Sequence, residues 1–269
     1  MRSVRVGAGA AILERDPTRK ALAAHGLNHD WKAGRLTTVA ASTDALVPID
    51  LPRVQGAAAF VHASKVPKRR LGSPAGRAAM LHAVAHIEWT AIDLALDHAH
   101  RFADMPDQYY ADWLRVASEE ALHFSLLRAR LRGEHGIDYG HLPVHAGQWA
   151  MAERSGHDVL VRMALVPRVN EARGLDVAPG IGQRLANVGD DASAAILRRI
   201  HADEVGHVAI GDRWFRWCCA QRCVDAEPTF AALLVEHDVR IHPPVNVADR
   251  VTAGFTPDEL ADLGLLDAR

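Results

Sequence analysis

Two segments of the chain carry metal-binding residue types at a spacing that lets one helix present them together: EEALH at residues 119–123 and DEVGH at residues 203–207. In each, a histidine follows the second acid by three residues. Glu120 and His123, like Glu204 and His207, therefore sit on neighbouring turns of a helix, about 4.5 Å apart along the axis and about 60° around it. Each pair can aim at one point. A single Glu-x-x-His is common on solvated helix faces, so repetition carries the weight. Glu88 stands 32 residues before Glu120, and Glu171 stands 33 residues before Glu204. An aspartate follows each upstream glutamate at the same offset, Asp93 and Asp176. The pattern E…D…[DE]E-x-x-H thus occurs twice at nearly constant spacing.

The midpoint between Glu88 and Glu120 falls in ADMPDQ, and that between Glu171 and Glu204 falls at Asn187–Val188, both in expected turns. Residues equidistant from the turn of an antiparallel helix hairpin lie at one level, so each upstream glutamate should face its acid–histidine partner. Four carboxylates gathered inside a bundle are costly without compensating charge. Two divalent cations supply +4 against −4, with both histidines as neutral ligands. One glutamate from each of two helices plus Glu-x-x-His from each of two others is the ligand set of a di-iron or di-manganese carboxylate site. The expected metal ligands are therefore Glu88, Glu120, His123, Glu171, Glu204 and His207. Iron is the leading metal, with manganese or a mixed Fe/Mn pair as alternatives.

Asp93 and Asp176 are expected behind the ligands, accepting the second ring N–H of a histidine and fixing its tautomer. Glu119 and Asp203 read as salt-bridge residues, and His82, His86 and His201 as packing histidines. Glu153 is the rival to Glu171, but it lies 51 residues before Glu204 and breaks the repeat.

These residues need long helices to position them. SPAGRAAMLHAVAHIEWTAIDLALDHAHRF opens with a serine N-cap and a proline at the first helical position, which predicts a helix over 73–102. Further helices are expected over about 108–132, 149–173, where Pro179, Gly180 and Gly182 follow as breakers, and 191–222. A region at 5–33 reads as helical with a break at Arg15–Pro17. Residues 34–74 hold Pro48, Pro52, Pro67 and Pro74 and read as an extended arm. Short helices are expected near 229–237 and 257–263. No sheet is evident. The expected architecture is all-α: an N-terminal helical and extended arm (1–72), an antiparallel four-helix bundle (73–222) and a C-terminal extension with short helices (223–269).

A chain of 269 residues with 49% hydrophobic and 24% charged residues can bury a good core. The formal net charge of −2 makes no case for bulk nucleic-acid or lipid binding. A local basic cluster exists at Lys65, Lys68, Arg69 and Arg70, for which a solvated loop face is the plainer reading. Cys218, Cys219 and Cys223 are an odd number and do not resemble a disulfide framework. No apolar run approaches the roughly 20 residues that span a bilayer. The chain reads as cytoplasmic.

The runs RRLGSPAGRAAMLHAVAHIEWTAIDLALDHAHRF, ADWLRVASEEALHFSLL, ALVPRVNEARGLDVAPG and IHADEVGHVAIGDRWF closely resemble a ferritin-like family known only as a domain of unknown function (DUF 455). The resemblance covers about residues 65–260. It implies a ferritin-like bundle and carries the same six residues over as ligands of a dinuclear site, but supplies no reaction. Such a site points first to an O2-dependent oxidoreductase of hydroxylase or oxidase type acting on an unidentified small molecule, with an electron donor. The alternative is ferroxidase, metal-handling or peroxide-detoxifying activity without an organic substrate. A homodimer is compatible with the sequence. Architectural analogy to tRNA-hydroxylating enzymes leaves tRNA open as a ligand, with Lys65–Arg70 as its contact.

Overall fold

The computed structural model describes residues 2–38, 49 and 58–266. Pro48 and Pro52 of the expected arm lie outside the described residues. The chain forms two compact units, Met1–Trp149 and Ala150–Arg269.

In the first unit, β1 (Arg2–Ser3) pairs in parallel with β2 (Leu36–Thr37), a short ladder that corrects the expectation of no sheet. Between them run α1 (Val4–Leu13) and α2 (Pro17–Lys32). The break falls where expected because the Asp16 carboxylate accepts the Thr18 and Arg19 N–H groups at 3.0 and 2.9 Å, with Pro17 opening the next helix. Ser73 caps α3 (Pro74–Arg101) by accepting the Gly76 N–H at 3.1 Å. After a short turn, α4 (Asp107–His135) returns antiparallel to α3 and ends at Gly136 with a left-handed backbone. Helix α1 packs on α3 and α2 on α4. From Ala78 to His100, α3 is buried on nearly every side, so its polar residues Glu88, Asp93, Asp97 and His98 are enclosed. This makes α3 the central helix of its unit.

Helix α5 (Gly147–Arg154) precedes the second hairpin. The expected single helix over 149–173 is interrupted at Ser155–Asp158. There the Ser155 hydroxyl turns back on the Met151 carbonyl at 2.8 Å, and Asp158 accepts the Leu160 N–H at 2.7 Å to cap α6 (Val159–Leu165). Buried Arg162 stitches the break, reaching Ser155 Oγ at 3.0 Å and the Ala152 carbonyl at 2.6 Å.

A π-helical stretch, Val166–Glu171, follows and leads straight into α7 (Ala172–Asn187). Pro167 lacks an N–H and its ring crowds the preceding turn, and a widened turn absorbs that crowding. Pro179 sits inside α7 and does not end it, contrary to expectation. Its missing N–H frees the Leu175 carbonyl, which accepts Asn246 Nδ2 at 3.3 Å instead. With that acceptor satisfied, the helix runs on to the turn at Val188–Asp190. Helix α8 (Asp191–Gln221) then packs back along α6, the π stretch and α7.

The tail forms α9 (Ala226–Glu236), α10 (Val247–Thr252) and α11 (Pro257–Asp262). Arg168 holds it to the hairpin. Its guanidinium lies 4.6, 4.1 and 4.4 Å from the ring centres of Phe215, Phe230 and Phe255 and pairs with Glu259 and Asp212. Among the described residues, no helix is long and apolar enough to cross a membrane.

Candidate metal centre

In the first unit, the α3/α4 hairpin brings Glu88, Glu120 and His123 together as the spacing implies. Their ligand atoms lie within 4.8 Å of one another. His123 Nδ1 is 3.2 Å from Glu88 Oε2 and 3.2 Å from Glu120 Oε2, and Glu120 and His123 are fully enclosed. Burial by itself lowers the imidazole pKa. The hydrogen bonds and charges of Glu120 and Glu88 outweigh it and push His123 up to about 11. The pocket therefore demands positive charge, and an imidazolium or a divalent cation can meet that demand.

In the second unit, α8 carries Glu204 and His207 on one buried face, with His207 Nδ1 3.7 Å from Glu204 Oε2. Glu171 is buried and is the last residue of the π stretch. The first turn of α7 lies against Glu204, since a Cβ on Gly174 would stand 4.0 Å from Glu204 Cγ. Pro167 fixes how closely α8 approaches: a Cβ on Gly211 would fall 2.0 Å from Pro167 Cβ, so only glycine fits there.

Asp93 and Asp176 take cations rather than imidazoles as partners. Lys20 of α2, fully buried, donates Nζ–H to Asp93 and to the Ile12 carbonyl (2.7 Å), and its ammonium lies 4.6 Å from the centre of the Trp89 ring. Burial pushes the Asp93 carboxyl up to about 6 and the Lys20 ammonium down, against their mutual attraction. Asp176 accepts two guanidinium bonds from buried Arg250, at 3.0 and 2.7 Å, and the Asn246 N–H at 2.9 Å. A full charge buried away from water requires a charged partner more than an orientation-fixing one. The two repeats thus share a second device: an aspartate five residues past the glutamate, neutralised by a cation from outside the hairpin.

Trp89 and Phe124, each next in sequence to a candidate ligand, pack with Tyr139 at centroid distances of 5.1–5.5 Å. Tyr139 O–H donates to His86 Nδ1 at 2.8 Å, and His86 Nε2–H donates to the His145 carbonyl at 2.9 Å, an arrangement that fixes the tautomer. His82 Nε2 accepts the Gly140 N–H at 2.9 Å. Both histidines pin the loop after α4 onto α3. Asp203 pairs with Arg199 at 2.6 Å on the surface of α8.

Comparison with known proteins follows the same residues. The model of a family described as a protein of unknown function (DUF455) matches residues 13–261, which takes in both hairpins and their six candidate ligands. The chain belongs to the DUF455 family. An uncharacterized protein of Haemophilus influenzae is 45% identical to it over 203 residues, covering 72% of this chain and 70% of the relative. No solved structure matches the chain. The match places Lys20, Arg168, Asp176 and Arg250 within DUF455 as well as the acid–histidine segments.

The buried cluster around Glu88, Glu120 and His123 could hold a metal ion. Carboxylate oxygens and an imidazole nitrogen are common ligands of divalent cations, and the enclosed carboxylates supply the charge such an ion needs.

Proposed function

We propose that this DUF455 chain is a ferritin-like dinuclear metal-carboxylate protein that uses O2 to oxidise a small organic substrate. Glu88, Glu120 and His123 are the ligands expected from one hairpin and Glu171, Glu204 and His207 those expected from the other, the ligand set of a dinuclear carboxylate centre. The observation that carries the reading is His123, buried and held between two carboxylates, on a segment whose pattern recurs at Glu204 and His207. When bound, a pair of ferrous ions, or an Fe/Mn pair, supplies the electrons for cooperative reduction of O2.

The chain's own residues do the rest. The glutamates hold the ions and offset their charge. The Lys20–Asp93 and Arg250–Asp176 pairs stand behind the two halves as internally neutral units, adding no net charge to the centre. Trp89, Phe124 and Tyr139 pack into one buried aromatic cluster on the same unit. The loop pinned by His82 and His86 covers α3.

Anaerobic loading with ferrous iron followed by O2 titration tests the proposal. Consumption of O2 that rises with an added reductant and a substrate pool supports an oxidoreductase. Stoichiometric iron oxidation indifferent to both indicates ferroxidase or metal-handling activity instead.

A further inference from the structure

Between Asp50 and Glu88 the chain has no Asp or Glu and six Lys or Arg, in a molecule whose formal net charge is −2. Four of the six, Lys65, Lys68, Arg69 and Arg70, are exposed within one short segment. Some exposed arginines elsewhere find carboxylates, Arg35 with Asp30, Arg199 with Asp203 and Arg222 with Asp158, whereas those without one among the described residues, such as Arg115, Arg184 and Arg240, are scattered along the chain. None of the four side chains makes a hydrogen bond or ion pair among the described residues. Positive charge is collected there with no acid paired to it among the described residues.

The backbone that carries this charge is bolted down at both ends. Val61 N–H donates to the Val144 carbonyl at 2.8 Å, and a single 3-10 turn, Ala63–Lys65, follows. At the other end the Arg70 carbonyl accepts the Ser73 N–H and hydroxyl, each at 3.2 Å, and Arg77 holds the Leu71 carbonyl at 3.1 Å. A Cβ on Gly76 would fall 1.9 Å from the Arg70 carbonyl oxygen, so glycine alone lets this strand lie against the first turn of α3. Cations on a fixed backbone lose less freedom on binding than cations on a loose one.

We propose that Lys65–Arg70 is a docking surface for the phosphate backbone of a nucleic-acid strand. The adjacent forks of Arg69 and Arg70 match phosphate oxygens in a bidentate manner, and the lysines add point charges. A lipid surface is the poorer fit. Stable peripheral attachment combines basic residues with apolar side chains that enter the bilayer, and residues 58–72 expose no large hydrophobic side chain, Leu71 being buried. Apart from these four cations the chain carries a formal net charge of −6, so a polyanion is favoured at this segment over the rest of the chain. The inference is independent of the metal centre.

The test is fluorescence anisotropy of the full chain with a labelled 20-nucleotide single-stranded RNA across a salt series. It is run beside the K65Q/K68Q/R69Q/R70Q variant and a control, R115Q/R184Q/R198Q/R240Q, that removes equal charge from exposed positions elsewhere. The expected result is binding at low salt that weakens at least tenfold in the first variant and little in the control. The slope of log K against log salt should fall by about 3 in the first variant, the value for four lost phosphate contacts on a single strand. Absence of binding at low salt overturns the proposal, as does equal weakening in both variants. Binding to phosphatidylglycerol vesicles without binding to RNA overturns it in favour of a membrane.

Discussion

His123 Nδ1 lies 3.2 Å from Glu88 Oε2, joining α4 to α3 at the level where the α3/α4 hairpin buries its acids. Removing the imidazole leaves two enclosed carboxylates without their positive partner. His123→Ala should therefore lose metal from the first half-site, and the metal-free variant should be less stable than the metal-free parent by about 3–5 kcal/mol. Urea titration of both apo-proteins checks the second figure, and metal analysis the first.

Lys20 and Asp93 make the same kind of demand on each other. Lys20→Met strands a carboxylate in the core and should cost about 3–5 kcal/mol, whereas the double variant Lys20→Met, Asp93→Leu should recover most of the loss. A double-mutant cycle by chemical denaturation measures the coupling. Additive losses would mean that the two side chains act independently.

Gly211 and Pro167 set the closeness of α8 to the π stretch. Gly211→Ala drives a methyl into the proline ring, and overpacking of this kind costs about 1–3 kcal/mol. Because α8 carries Glu204 and His207, the same variant should lower metal content of the second half-site while leaving the His123 half intact.

His82 accepts an amide proton, so it must be neutral, and burial lowers its pKa to about 4. An imidazole whose folded pKa lies below its unfolded one favours the folded state fully above the unfolded value of about 6.5. That contribution is lost as pH falls from about 6.5 towards about 4, at up to about 1.4 kcal/mol per pH unit. Asp138 adds a later acid loss. Burial raises its pKa, but Arg128, Arg132 and the Tyr139 amide hold the carboxyl well below the usual range, so this contribution is present above about pH 4 and fades below it. Stability curves of His82→Gln should be flatter between pH 6.5 and 4, and those of Asp138→Asn flatter only below about pH 4.

Much of the frame was legible in the sequence because its signals are local. Ser73–Pro74 and Asp16–Pro17 start helices by satisfying amides one turn away, and Glu-x-x-His needs only the helical repeat. What was not legible depends on distant partners. Pro179 reads as a breaker until Asn246, 67 residues on, takes the carbonyl it frees. Asp93 and Asp176 were expected to orient histidines, while the structure gives them Lys20 and Arg250, residues that no spacing rule links to them. The π stretch ending at Glu171 left a local sign in Pro167, inside an otherwise helical run. The interruption at Ser155–Asp158 also had one, an N-cap aspartate after a glycine.

Metal content bears most directly on the central claim. The full chain, expressed with iron and manganese available, should carry about two metal ions per chain by plasma mass spectrometry, as the two-fold ligand pattern requires. Glu120→Ala, Glu204→Ala should carry almost none while keeping its helical circular dichroism. A folded parent that holds no metal and takes up neither ion on reconstitution would contradict the account.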